Sequence, residues 1–197
     1  MKCIIYLLLM SSLATAAQHN GYYVTLRNDT IPALIKVEKG VFDPFSFYGL
    51  YRNVKISDSI SGERVYLPGD ILSFYVETHL GNYHFFSKPL RDGTVRFLEA
   101  VTLTSKANLY GYRNIKVNSG GGIEAYTIER ADSTFIFFEN ELYVKAKKKF
   151  REFFKNEPAI LAHLEKLFKQ PGYEHRDLNR LFKKIEEDFP CKSKCKM

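Results

Sequence analysis

The spacing of apolar residues changes near residue 141, and this change divides the chain into two parts. Before residue 141, short runs rich in Val, Ile, Tyr and Phe are separated by turn residues such as Asn28-Asp29 and Pro68-Gly69. These runs predict antiparallel strands, because β-branched and aromatic side chains suit a pleated surface, whereas Asn, Asp, Pro and Gly suit tight turns. After residue 141, apolar residues recur every three or four positions, which indicates amphipathic helices.

The first part lacks the long helical segments that a parallel α/β sheet needs between its strands. Strands are predicted over residues 22–26, 33–37, 63–67, 71–77, 82–87, 94–103, 107–112, 123–130 and 134–138. The second part contains two predicted helices on either side of Gln170-Pro171-Gly172, and Pro158 is expected to interrupt the first helix. We therefore predict an α+β fold, in which an antiparallel β-rich sandwich or open barrel of seven to nine strands is followed by a C-terminal helical hairpin packed on it.

The first seventeen residues have the layout of a secretory signal peptide. Lys2 supplies a basic start, residues 3–10 form a short apolar core, and small residues follow up to Ala17. The apolar core has about ten residues, whereas a helix needs about twenty to cross a bilayer. We therefore predict cleavage near Ala16 or Ala17, export to the periplasm or the medium, and no membrane-spanning segment in the mature chain.

The predicted segments differ in charge. The β body, residues 18–140, carries 13 lysines and arginines and 13 acidic residues, whereas residues 141–197 carry 15 and nine. Residues 141–197 comprise the helical subdomain, 141–190, and a basic tail, 191–197. A basic cluster at the start of the first helix consists of Lys145, Lys147, Lys148, Lys149 and Arg151. This cluster could bind an acidic glycan, a lipid head group or an envelope protein, or it could form a solvated helix face; export makes nucleic acid a poor partner.

Cleavage would leave Cys191 and Cys195 as the remaining cysteines. Positions four apart on a helix lie about 6 Å apart, a separation that a disulfide can span, and an exported chain meets oxidising conditions. A disulfide between these two residues is the favoured interpretation. Free thiols, or a redox or metal site, are the alternatives, although the neighbouring lysines would repel a metal cation.

No established catalytic, cofactor or metal motif is present in the sequence. His79 and His84 lie on either side of a predicted turn and could form a metal or acid–base site with nearby carboxylates, but exposed turn histidines are the simpler interpretation. The run Ser119-Gly120-Gly121-Gly122 is expected to be a hairpin loop, because the Lys-Ser/Thr that ends a phosphate-binding loop does not follow it. The aromatic segment 42–51 is expected to fill a core rather than to line a ligand pocket.

Four stretches carry a resemblance to a diffuse group of small exported proteins of unknown function from Bacteroidota-type bacteria. They are residues 21–30 (GYYVTLRNDT), residues 66–74 (YLPGDILSF), residues 97–110 from Phe-Leu-Glu to Ala-Asn-Leu-Tyr, and the C-terminal helices rich in Phe and Leu. The resemblance implies export and the order of elements, and it implies no activity. The two C-terminal cysteines depart from the pattern of the group.

The function predicted from the sequence is that of a non-enzymatic binding or structural module of the cell envelope. The alternatives are a β-barrel that binds a small ligand, and a hydrolase whose active site is assembled from residues distant in the sequence. A cavity that holds histidine or several carboxylates would favour the alternatives, whereas a completely filled core would favour the binding module.

Overall fold

A computed structural model describes residues 17–37, 47–112, 125–139, 143–169 and 177–190. The strands are β1 (Ala17–Thr25), β2 (Thr30–Val37), β3 (Val54–Asp58), β4 (Gly62–Tyr66), β5 (Ile71–Thr78), β6 (Gly81–Pro89), β7 (Val95–Leu103), β8 (Ala107–Tyr112), β9 (Ala125–Arg130) and β10 (Phe135–Glu139). The helices are α1 (Phe47–Leu50), α2 (Tyr143–Phe153), α3 (Pro158–Phe168) and α4 (Asp177–Asp188).

The ten strands form one sheet in the order β10-β9-β8-β7-β6-β5-β1-β2-β3-β4. Every neighbouring pair is antiparallel, as expected for strands that are joined by short turns. The pairing of β1 with β5 is the one that joins residues distant in the sequence. Gly21 permits it, because a Cβ atom at this position would overlap the carbonyl oxygen of Tyr75 on β5.

The sheet curls at the end that carries β1 to β4. The rings of Tyr23 on β1 and Tyr66 on β4 have centroids 5.2 Å apart, although three strand spacings separate these strands, or about 14 Å across a flat sheet. The hydroxyl of Tyr23 also donates a hydrogen bond of 3.0 Å to Asp58 at the end of β3. The curl closes around apolar side chains, which form the first part of the core.

Cross-strand partners define the two faces of the sheet. The front face carries Phe74, Phe85, Tyr126 and Phe138, and the back face carries residues such as Tyr75. The front face holds both apolar clusters of the core: one on β1 to β7 together with Leu50 and Tyr51, and one between β7 to β10 and the three C-terminal helices. The middle strands are buried on the back face too, where Leu98 and Tyr110 are almost inaccessible.

The C-terminal helices pack on the β10 end of the front face through aromatic rings. Phe150 of α2 stacks on Phe138 of β10 with centroids 4.4 Å apart and an angle of 15° between the ring planes. Each helix contributes buried apolar residues at the three- and four-residue spacing that the sequence shows; among them are Phe150, Leu164 and Ile185. Burial of this shared stripe holds the helices against the sheet.

The predicted α+β fold, antiparallel and β-rich with C-terminal helices, is confirmed. Two details differ from the expectation. The described sheet has ten strands, one more than the nine predicted segments, which did not include β3. Helix α1 is an additional short helix within the β body. The expected interruption at Pro158 separates α2 from α3, so the described helical part contains three helices, of which α3 begins at Pro158. In the described part of the chain, no helix combines the length and apolar character needed to cross a membrane.

Candidate functional site

A groove with a volume of about 600 Å³ lies on the back face of β1, β5, β6 and β7. Its lining consists of Tyr22, Tyr75, Glu77, Asn82, His84, residues 100–103 of β7, and Glu186 of α4. Register explains why these residues meet, because Tyr22 is the cross-strand partner of Tyr75, which in turn is the partner of His84. The volume lies within the range of about 300–1,000 Å³ that is typical of small-molecule sites.

Two stacked tyrosine rings form one wall of the groove. The centroids of Tyr22 and Tyr75 are 4.9 Å apart, and the ring planes differ by 16°. The carboxylate of Glu77 and the amide of Asn82 both lie near the Tyr75 hydroxyl. Burial raises the pKa of both tyrosines, and the charge of Glu77 raises that of Tyr75 further, so both hydroxyls stay protonated at neutral pH.

His84 forms the inner end of the groove as a neutral imidazole. Its ring meets Tyr22 and Tyr75 edge-on, and its Nε2 atom lies 3.1 Å from the Oγ atom of Ser73. Burial lowers the pKa of His84 to about 4, because the charged form would lose its hydration without gaining an acidic partner. His84 therefore acts as a polar, uncharged surface at neutral pH.

This arrangement predicts that acid destabilises the protein through His84. The unfolded chain takes up the proton near pH 6.5 but the folded chain only near pH 4, so the free energy of unfolding should fall by about 2 to 3 kcal/mol between these values. Urea unfolding of the protein and of the His84→Phe variant at pH 7 and pH 4.5 measures this effect. Carboxylates act in both proteins and cancel in the comparison. An identical pH dependence in the two proteins would contradict the prediction.

The aromatic residues continue from the groove into the buried part of the back face. The ring of His84 lies 4.2 Å from that of Phe86, which lies 5.5 Å from that of Tyr110. Beyond them, the ammonium group of Lys88 lies 5.1 Å from the centroid of Tyr110 and 5.8 Å from that of Phe135. We call the row Tyr22, Tyr75, His84, Phe86 and Tyr110 the aromatic row.

A buried ion pair closes the inner end of the aromatic row. The Nζ atom of Lys88 lies 2.7 Å from Oε2 of Glu129, and the side chains are 18% and 12% exposed. The hydroxyl of Tyr110 donates a further hydrogen bond, of 2.8 Å, to the same carboxylate, and burial together with the charge of Glu129 raises the pKa of Tyr110. The chain thus places its own cation among these rings.

The predicted basic cluster is largely occupied by contacts within the protein. Lys147 donates to the carbonyl oxygen of Phe168 at 2.9 Å, Lys149 donates to that of Phe137 at 3.4 Å, and Arg151 makes a two-pronged ion pair with Glu165. Lys148 is exposed, and the side chain of Lys145 lies outside the described residues. These contacts anchor α2 to α3 and β10; anion binding by this cluster stays a prediction.

Several predicted features lie outside the described residues: the signal peptide up to residue 16, the 119–122 glycine run, residues 42–46 of the aromatic segment, and Cys191 and Cys195. Leu50 and Tyr51 of the aromatic segment lie in the core. His79 and His84 are placed apart. His84 faces the groove, whereas His79 lies in the turn after β5 and contributes to the lowered pKa of His19, after the larger effect of burial. Among the described residues, no group of three potential metal ligands occurs.

Comparison with protein-family models, with curated proteins and with solved structures found no match for this chain. The resemblance to exported bacterial proteins therefore stays a prediction, and the interpretation of the groove depends on its geometry alone.

Sequence reasoning missed the groove because its residues come together through a long-range strand pairing. Tyr22 and Tyr75 are adjacent only when β1 pairs with β5, and Glu186 arrives from the last helix. The available signal was that both tyrosines stand at alternating positions next to buried residues, Tyr23 and Phe74, in strands that otherwise pack into the core. That pattern places them on the opposite face of the sheet but does not show that they share it.

Proposed function

We propose that the protein is an exported, non-enzymatic binding module that holds a small ligand in the groove of the back face. The observation that carries this proposal is the stacked pair Tyr22–Tyr75 beside a cavity of about 600 Å³ with a few polar groups at its rim. Ligand sites combine apolar and aromatic walls with a small number of polar groups that orient the ligand. The groove is a pocket of this kind, so the proposal takes up the small-ligand alternative of the sequence analysis.

The chemistry of the groove favours binding over hydrolysis. Ser73 and His84 form a hydroxyl–imidazole contact of the type that activates a nucleophile. However, Ser73 is only 1% exposed, so a substrate carbonyl has no access to its Oγ atom. The low pKa of His84 also makes it a weak base at neutral pH. The contact therefore serves to orient the imidazole ring.

Export is the part of the proposal that depends on the N-terminal sequence. Strand β1 begins at Ala17, so cleavage after Ala16 or Ala17 would leave its paired residues from Gln18 onward in the mature chain. We expect the full-length chain, expressed in a bacterium with a Sec pathway, to be recovered outside the cytoplasm with Ala17 or Gln18 as its first residue. Mass spectrometry of the intact protein measures this. Recovery of a chain that still begins at Met1 from the cytoplasm would refute export.

The ligand-binding proposal predicts that the tyrosine wall is essential for binding. Ligand-observed NMR with a library of small sugars, aromatic acids and amines should identify ligands of the groove. Their affinity should fall at least about tenfold in the Tyr22→Ala and Tyr75→Ala variants, because ring stacking and cation–π contacts each contribute on the order of 1 kcal/mol or more. Tyr83→Ala is the matched control. Tyr83 is a partly buried strand tyrosine that packs on the front face, away from the groove.

Equal loss of affinity in the Tyr83→Ala control would show that the variants act through stability, and this would contradict the proposal. Binding that is unchanged in Tyr22→Ala and Tyr75→Ala would place the ligand elsewhere and would contradict it too.

A further inference from the structure

We infer that the ligand of the groove is an organic cation with a primary or quaternary ammonium group. This inference rests on the proposed function and adds the chemical class of the ligand. Three observations support it: the charge of the lining, the aromatic rings of the tyrosine wall, and the way the same face of the sheet accommodates Lys88.

The lining of the groove is acidic although the protein is basic. The chain has a formal net charge of +7, but the groove is lined by two carboxylates, Glu77 and Glu186, and none of the described residues that line it is lysine or arginine. His84 adds no positive charge at neutral pH, because its pKa lies near 4. The formal charge of the lining is therefore opposite in sign to that of the whole protein, which favours a cation as the ligand.

The tyrosine wall is suited to a cation. An ammonium group is attracted to the face of an aromatic ring, because the π-electrons concentrate negative charge there. The carboxylate of Glu77 lies near the Tyr75 hydroxyl, so an acidic group stands beside this ring. Tyr22 stacks on one face of Tyr75 at 4.9 Å, so a cation would meet the outer face of either ring. The rings and both carboxylates line the same groove, so a bound ammonium group would have aromatic and acidic neighbours.

The protein already holds one ammonium group in this manner. At the inner end of the aromatic row, Lys88 lies near the rings of Phe86, Tyr110 and Phe135 and pairs with Glu129. The outer end of the row repeats these components, with two tyrosine rings and two carboxylates. In the inner position the cation belongs to the chain, whereas in the groove a cation from solution would take the equivalent place.

The test compares choline with 3,3-dimethyl-1-butanol, its uncharged analogue of the same shape, at pH 7 and low salt. Isothermal titration or ligand-observed NMR should show binding of choline that is at least about tenfold tighter than that of the analogue. The Glu77→Gln/Glu186→Gln double variant should abolish this preference, and 0.5 M NaCl should reduce it. Glu187→Gln is the matched control, since Glu187 is the neighbour of Glu186 on α4 but pairs with Lys184.

The outcomes separate this inference from the proposed function. Equal affinity for choline and its uncharged analogue, lost in Tyr22→Ala, would overturn the cation class and would support the groove as a binding site. Binding of sugars or acids in place of both probes would have the same meaning. If choline bound with equal affinity to wild type and to Tyr22→Ala, both the inference and the proposed site would be overturned. If the Glu187→Gln control also removed the preference for choline over its analogue, the assignment of this preference to Glu77 and Glu186 would be overturned.

Discussion

Replacing Phe150 by alanine should lower the free energy of unfolding by about 3 to 5 kcal/mol, the range observed for truncation of buried phenylalanines. Phe150 is 1% exposed and stacks on Phe138 of β10 at a centroid distance of 4.4 Å, with the ring of Phe168 at 6.2 Å. Truncation removes the transfer free energy of the ring and leaves a cavity between α2 and the sheet. Urea unfolding followed by circular dichroism and by tyrosine fluorescence measures the change.

Ile60→Ala is the control for this prediction. Ile60 is 78% exposed in the turn between β3 and β4, so its truncation should change stability by less than about 0.5 kcal/mol. A loss below about 1 kcal/mol in Phe150→Ala would show that α2 does not pack on β10. The two optical signals should also give the same midpoint in the wild-type protein, because the helices and the sheet share one apolar cluster.

Replacing Lys88 by methionine should lower the free energy of unfolding by about 3 kcal/mol or more, although methionine suits an apolar site. The substitution leaves the carboxylate of Glu129, whose side chain is only 12% exposed, without its cation. An uncompensated buried charge costs about 3 to 5 kcal/mol, whereas replacing both members of a buried pair by neutral groups costs much less.

The Lys88→Met/Glu129→Gln double variant should regain most of this stability. Glutamine removes the charge but still accepts the hydrogen bond of the Tyr110 hydroxyl, which would otherwise be buried without a partner. The surface pair Lys184–Glu187 is the control, because its side chains are 53% and 58% exposed and an exposed pair contributes less than about 1 kcal/mol. A double variant as unstable as Lys88→Met would show that lysine acts through its packing against the rings rather than through its charge.

Local sequence patterns predicted most of the sheet because each strand is bounded by residues that suit only a turn. Pro68-Gly69 and Asp29 stand at real chain reversals, where backbone hydrogen bonds close the turns. Strand β3 escaped prediction because it is a five-residue segment, Val54–Asp58, in which only Val54 and Ile56 are buried. Two apolar residues are too few to distinguish a short strand from a loop.

The helices were predictable for a similar reason. Residues such as Phe150, Phe154, Leu164 and Ile185 recur at helical spacing, and all of them are buried on the side that meets the sheet. Pro158 interrupts the pattern because it lacks an amide donor, and it occupies the first turn of α3, where that donor is not needed. The spacing of these residues does not show which surface the apolar stripe packs against.

The sequence determines the order of the strands and helices, the point at which strands change to helices, and the positions of the turns. Each of these depends on residues within a few positions of one another. The groove cannot be predicted in this way, because it requires β1 to pair with β2 on one side and with β5 on the other. Strand β5 lies about fifty residues further along the chain. The same long-range pairing brings Tyr22 against Tyr75, and the helical packing brings Glu186 to the rim. The basic cluster shows the converse. Its five charged residues are conspicuous in the sequence, but in the folded protein three of them contact Phe137, Glu165 or Phe168. Local chemistry therefore selects the elements, and the pairing of distant elements selects which side chains line the groove.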